Sequence, residues 1–303
     1  MNTLHRSILS FPSIPLSRRT ARRMGILLLS ALPGLGLAGC AINQASSKGE
    51  LAQAVADAKS VAVATENGSV ELIRDPAATT MQISATIRCS ADTEEKAAAR
   101  VKATKLIAVR DDNGKVRIAV EFPPREPAVT VVFVGDFAGS QDSASIVIRA
   151  ADLDGVEVST SNGGITVGAF AGPAKLETSN GSIELKDYAG PIDARSSNGA
   201  ILASGVLAPV VADTSNGRIE IALAPQAQGN LELDTSNGSV LLDLGSAWQG
   251  TLTADTSNGK IDLSGGDVVT KAGTKTMTIG DAAKAKAVID TSNGRVTVRA
   301  AKQ

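Results

Sequence analysis

Cys40 is the residue whose chemistry is plainest from its neighbours. It closes the run Leu37-Ala38-Gly39-Cys40, where small residues precede a thiol able to take a diacylglycerol group before the chain is cut on its amino side. Ahead of it stand Arg6, Arg18, Arg19, Arg22 and Arg23 with no acid, then an apolar run from Met24 to Leu37. That run is shorter than the roughly 20 apolar residues of a spanning helix, and Pro33, Gly34 and Gly36 interrupt it. Residues 1–39 are therefore predicted to be a removable lipoprotein signal peptide. Ala41 stands where an inner-membrane retention signal would place an aspartate, so the expected address is the outer membrane, facing the periplasm or the outside.

Other chemistry is sparse. His5 is the only histidine and lies in the predicted signal, which leaves no imidazole for general-base work, a serine triad or the usual zinc sites. Phosphate-loop and dinucleotide motifs are absent from the sequence, so no cofactor is expected. Glu184 and Glu220 share one offset in alternate repeats, hence about 9.6 Å apart on stacked spacing, near the upper end for an inverting glycosidase pair. A solvated acidic face explains them more simply. Phe170 and Tyr188, at matching offsets, suit corner packing better than a sugar-stacking platform.

Asp213, Asp234, Asp255 and Asp290 each precede an asparagine by three residues. Stacked, they would form a column of like charges that either binds a divalent cation or pairs with Arg218, Lys260 and Arg295 nearby. Calcium wants six or more oxygens, which spaced single carboxylates do not supply, so no metal ligand is assigned. No catalytic residue is assigned either. Cys89 shares the alternating phase of Ile83, Ala85 and Ile87, which predicts a buried, inert thiol. With Cys40 consumed by lipid, no disulfide within the chain is possible. Beyond residue 39 the chain has 25 basic and 31 acidic residues, a net charge of −6 with no footprint for nucleic acid.

What could position these groups is a repeat. Ser-Asn-Gly recurs at Asn162, Asn180, Asn198, Asn216, Asn237, Asn258 and Asn293, usually after threonine, at spacings of 18, 18, 18, 21, 21 and 35 residues. Positions six and four before each asparagine, and three and five after it, are aliphatic or alanine in nearly every copy, as in Val156, Val158, Ile165 and Val167. Period-2 alternation on both sides of a sharp corner means two short strands with one buried face each. Asn-Gly suits corners that need φ > 0, and alone it fits a hairpin as well as a solenoid. Repetition favours stacking, because equivalent side chains about 4.8 Å apart can hydrogen-bond in ladders.

Val61, Val63, Val70 and Leu72 surround Asn67 at the same offsets, and Ile107, Val109, Val116 and Ile118 surround Asn113. Between them Asp92-Thr93-Glu94-Glu95 predicts a capped helix to about residue 105 with Ala98 and Val101 on one face. The expected organisation is a signal peptide over 1–39, a tether over 40–60, an N-terminal capping module over 61–150, and solenoid repeats over 151–303. The 35-residue interval before Asn293 would be a loop or a degenerate coil.

The Thr-Ser-Asn-Gly units, the opening unit around Asn67 and the export signal together resemble the bacterial "putative adhesin" domains of unknown function, over most of residues 55–300. The resemblance implies a right-handed β-solenoid of about 18 to 21-residue coils on an envelope protein, and it defines no catalytic residue. The function expected is a non-enzymatic lipoprotein, membrane-held through Cys40, with an adhesin-like or scaffold solenoid that meets a protein or glycan. A polysaccharide lyase or glycosidase on the same scaffold, or a periplasmic factor that regulates a partner, are the alternatives.

Overall fold

The computed structural model describes residues 45–125, 142–207, 209–271 and 274–300. The predicted signal peptide, Cys40 and His5 lie outside the described residues. Strands β1 (Ala45–Val55), β2 (Ser60–Thr65), β3 (Val70–Arg74) and β4 (Met81–Ala91) precede one helix, α1 (Glu94–Ala103); β5 (Lys105–Arg110), β6 (Lys115–Glu121) and β7 (Ser143–Ala150) follow it. Then come paired strands: β8 (Gly155–Thr160) and β9 (Ile165–Val167), β10 (Ala174–Thr178) and β11 (Ile183–Lys186), β12 (Ile192–Ser196) and β13 (Ile201–Val206), β14 (Val210–Thr214) and β15 (Ile219–Leu223). The chain closes with β16 (Leu231–Thr235), β17 (Val240–Leu244), β18 (Gly250–Thr256), β19 (Ile261–Ser264), β20 (Asp267–Lys271), β21 (Thr274–Ile279), β22 (Lys286–Thr291) and β23 (Val296–Ala300).

Alternation decides which way each strand faces. In the coil of β12 and β13, Ile192, Ala194, Ile201 and Ala203 point inward and are buried, while Asp193, Arg195 and Leu202 point outward. Equivalent residues of every coil face each other across the space between two sheets, so the core is one continuous apolar column. Successive coils pair in parallel and in register: Ile192 with Val210 in one sheet, Ile201 with Ile219 in the other. The result is the expected β-solenoid, with one sheet of 11 strands and one of 12.

The chain does not stack in the order in which it is written. β22 lies between β16 and β18, and β23 lies between β17 and β19, so the coil around Asn293 is inserted ahead of the coil around Asn258. The 35-residue interval is thus a hairpin of β20 and β21, which caps β18 in antiparallel fashion, plus the first strand of an ordinary coil.

Three expectations at the N-terminal end are corrected. Residues 45–55 are not tether: β1 pairs with β4 along all 11 residues, because Gly49, Leu51, Gln53 and Val55 face inward together and Gln53 donates to the Ala108 carbonyl (3.2 Å). Nor does a boundary fall at residues 150 and 151. β2 and β3 form the first coil and pair directly with β8 and β9, so the solenoid starts at residue 60, and the described residues 75–125 and 142–150 are inserted between its first two coils and cover its end. Finally, Asn113-Gly114 turns a hairpin rather than a coil corner. Asp111 sits where the repeats have threonine; its carboxylate accepts from the Asn113 and Lys115 amides (3.0 Å each), and β5 folds back on β6, leaving Ile107 and Val109 exposed.

Helix α1 covers this end. Thr93 is its N-cap, accepting from the Lys96 amide at 3.3 Å, and Ala97 is the residue it buries. Cys89 is fully buried beneath it, 3.7 Å from the Thr104 hydroxyl, and burial pushes its thiol pKa up, as an inert cysteine requires. No helix among the described residues is long and apolar enough to cross a membrane.

Candidate functional site

The repeat asparagines gather into a single line along one corner. The amide nitrogen of each donates to the side-chain oxygen of the next, from Asn162 to Asn67, Asn180 to Asn162, Asn198 to Asn180, Asn216 to Asn198 and Asn237 to Asn216, at 2.7 to 2.8 Å. Asn293 then donates to Asn237 (2.8 Å) and Asn258 to Asn293 (2.9 Å), which repeats in side chains the inserted coil order of the strands. All eight asparagines predicted from the sequence are in this ladder.

The glycine beside each asparagine is needed for a reason the sequence reading does not give. Among these glycines only Gly68 has a left-handed φ, at 132°, and no repeat asparagine does. Elsewhere the constraint is contact. A methyl on Gly181, Gly199, Gly217 or Gly238 would collide with the carbonyl oxygen of the glycine one coil earlier.

The residue that sequence reasoning undervalued is the threonine two before each asparagine. Thr178, Ser196, Thr214, Thr235 and Thr291 are buried, and each hydroxyl makes two bonds. It accepts from the glycine amide of its own corner and donates to the glycine carbonyl of the neighbouring coil; for Thr235 these are Gly238 at 3.1 Å and Gly217 at 3.0 Å. The signal was present: a hydroxyl stands there in every copy.

Such regularity turns the outer faces into columns. On the 12-stranded sheet one column runs Glu177, Arg195, Asp213, Asp234, Asp290, Asp255. Its first part is compensated by Lys175 on Glu177 (3.1 Å) and Arg195 on Asp193 (2.8 Å). Its second part is not. Arg218 reaches Glu220 (3.6 Å) and Lys260 reaches Asp262 (3.0 Å), and among the described residues no ion pair joins Arg218, Lys260 or Arg295 to these aspartates, so the pairing offered as the alternative to a cation is not formed. The corner intervenes, and residues beyond each asparagine belong to the other sheet. Asp255 accepts from the Thr274 hydroxyl at 2.6 Å. Among the described residues, no group of three or more acidic, histidine or cysteine side chains is arranged to hold a metal.

Partial burial, with Asp213, Asp290 and Glu232 nearby, pushes the Asp234 carboxyl pKa up; burial with Asp255 and Glu232 does the same to Asp290. A carboxyl whose pKa is higher folded than unfolded favours the fold below the unfolded pKa, and that advantage is lost as pH rises through the folded value. Asp234→Asn and Asp290→Asn are therefore expected to raise stability at pH 7 by about 0.2–1 kcal/mol each, the scale of facing like charges, and to change it little at pH 3. Urea melts at the two pH values decide this. A gain of equal size at both would mean that charge is not the cause.

Glu184 and Glu220 do lie in one column of the 11-stranded sheet, separated by Leu202. They stand on its outer face. Phe170, Tyr188 and Trp248 are fully buried, with the Tyr188 hydroxyl on the Gly172 carbonyl (2.7 Å) and the Trp248 indole on Gly229 (3.1 Å), so none is a sugar platform. An open groove of about 650 Å³ follows the corner where Pro173, Pro191 and Pro209 stack, rimmed by Lys59, Lys175 and Asp193.

Comparison with known proteins follows this architecture. The family described as Toastrack DUF4097 matches residues 100–299. Among solved structures, a "putative cell adhesion protein" from Clostridium sporogenes is similar at 10% identity and TM-score 0.38, over 84% of this chain and 100% of that one. A "putative lipid binding protein" from Parabacteroides distasonis is similar at 13% identity and TM-score 0.40, over 83% and 97%. A "putative adhesin" from Bacteroides fragilis is similar at 11% identity and TM-score 0.35, over 84% and 97%. No curated protein matches the chain.

Proposed function

Since the chain belongs to the Toastrack DUF4097 family, a family of adhesin-like domains of unknown function, we propose that it works by presenting a surface rather than by turning over a substrate. In this reading it is a non-enzymatic lipoprotein of the cell envelope, held at the outer membrane through lipid on Cys40. Its solenoid is an adhesin-like scaffold for a protein or glycan partner. One observation carries the proposal: side chains of equal offset stand in straight columns on the outer faces, fixed by the asparagine ladder and the buried hydroxyls. A rigid, regularly spaced surface suits an extended partner that makes the same contact many times. The uncompensated aspartates at one end give that surface a direction and favour a cationic group there.

The anchor is tested by growing cells that express the full chain with an alkyne analogue of palmitate. Wild-type chain takes up the label, whereas Cys40→Ser is expected to lose it and to accumulate as unprocessed precursor. Equal label in both would sink the assignment. The alignment of Glu184 with Glu220 keeps a carbohydrate-active enzyme as the second reading, and polysaccharide turnover that disappears in Glu184→Gln or Glu220→Gln would favour it.

A further inference from the structure

β20 ends the 12-stranded sheet, and all five of its residues are exposed. Val268 and Val269 are 42% and 67% exposed, unusual for large aliphatics, and among the described residues one side of the strand's backbone has no neighbouring strand. Asp267 and Lys271 at its two ends make no ion pair among the described residues. The sequence Asp267-Val268-Val269-Thr270-Lys271 is complementary to itself when run antiparallel. Centred on Val269, such a pairing puts Asp267 of each copy opposite Lys271 of the other, and Val269 opposite Val269, all on one face of the joined sheet.

We propose that β20 is the seam of a two-fold dimer, in which a second copy of this chain adds its own β20 antiparallel and continues the 12-stranded sheet across the axis. The inference concerns an edge of the sheet and does not depend on what the columns bind. An isologous contact closes on itself, so the assembly stops at two copies.

The other edges lack this match. β5, at the opposite end of the same sheet, would face Lys105 against Arg110 in a full-length two-fold pairing, like charge against like. The edge of β1 is partly bridged to β5 by Gln53, whose amide donates to the Ala108 carbonyl (3.2 Å). On β19 the Ile261 carbonyl already accepts from Lys275 at 2.6 Å.

The axis provides the test. In either phase of antiparallel pairing, facing Cα atoms lie about 4.5–5.5 Å apart, within the range a disulfide spans. Full-length chain carrying Val269→Cys, oxidised in cells with copper phenanthroline, is expected to give a band of twice the monomer mass on a non-reducing gel. The unsubstituted chain should not, because its Cys89 is buried and its Cys40 thiol is taken up by lipid in the function proposed above; Cys40→Ser added to every variant removes that second thiol from the comparison. Adding Lys271→Glu should reduce that band at least tenfold, by facing Glu against Asp267. Adding Asp267→Lys as well should restore it, because both end pairs are again opposite in charge. No band would overturn the proposal, as would one that Lys271→Glu leaves unchanged, the mark of random collision. A cross-link between copies carrying Val269→Cys and copies carrying Val109→Cys, in place of the Val269 band, would mean head-to-tail stacking through β5 and would overturn it too.

Discussion

Gly199→Ala is expected to lower the stability of the solenoid by about 3–5 kcal/mol. Its methyl group would overlap the carbonyl oxygen of Gly181, which belongs to the preceding coil's backbone and has no rotamer in which to retreat. The two coils must part, and the contacts beside the clash stretch with them. These are Asn198 N–H to the Ser179 carbonyl (2.9 Å), the Ser196 hydroxyl to Gly181 (3.1 Å), and Asn198 to Asn180 in the ladder (2.8 Å). Loss of two such bonds at about 1 kcal/mol each, plus about 1–3 kcal/mol for overpacking, gives the figure. Gly164→Ala is the control: a methyl there meets only the Ser182 carbonyl oxygen at 3.5 Å, an ordinary contact, so the cost should stay below about 1 kcal/mol. Urea melts followed by circular dichroism measure both. If the two substitutions cost the same, close approach of the coils is not what the corner glycines serve.

Thr235→Val should cost about 2–4 kcal/mol although it changes almost no volume. The hydroxyl of Thr235 is fully buried and is the partner of the Gly238 amide (3.1 Å) and the Gly217 carbonyl (3.0 Å). Valine leaves both backbone groups buried and unpaired, at about 1–3 kcal/mol each before relaxation. Thr235→Ser keeps the oxygen and should lose about 1 kcal/mol for the missing methyl. Ser196 shows that a serine can fill this place, bonding Gly199 at 2.9 Å and Gly181 at 3.1 Å. Equal losses for Val and Ser would mean that packing, not the pair of bonds, holds the corner.

Sequence reasoning works well where the physics is local or repeated. The inward positions around Asn162 to Asn237 could be read from alternation alone, and the ladder from the recurrence of one amide at one offset. The opening unit at Asn67 was legible for the same reason. Asn113 was misleading because Asn-Gly specifies a turn without saying what the chain does next; the neighbouring Asp111 decided for a hairpin. β1 was hidden because only Leu51 and Val55 of its inward face are large and apolar; Ala45, Ser47, Gly49 and Gln53 give no strand signal, and α1 packs on the strand. The aspartate column was placed correctly, but its supposed basic partners were not, since distance along the chain ignores the corner that sends them to the other sheet. Nothing local distinguishes the coil of Asn258 from that of Asn293, so their exchanged order could not be read.

That exchange bears on how the molecule comes into being. The coil of residues 250–264 precedes its lower neighbour in the chain, and the place between β16 and β18 belongs to β22, which is made later. During synthesis a stack built only as far as Asn237 has an exposed rim at β16 and β17, and the segment that follows offers the same aspartate and threonine to the same positions. A premature docking of β18 on β16 would satisfy the register while leaving residues 286–300 with nowhere to go. In the finished stack those residues stand as a keystone set between two courses, not as the last course laid.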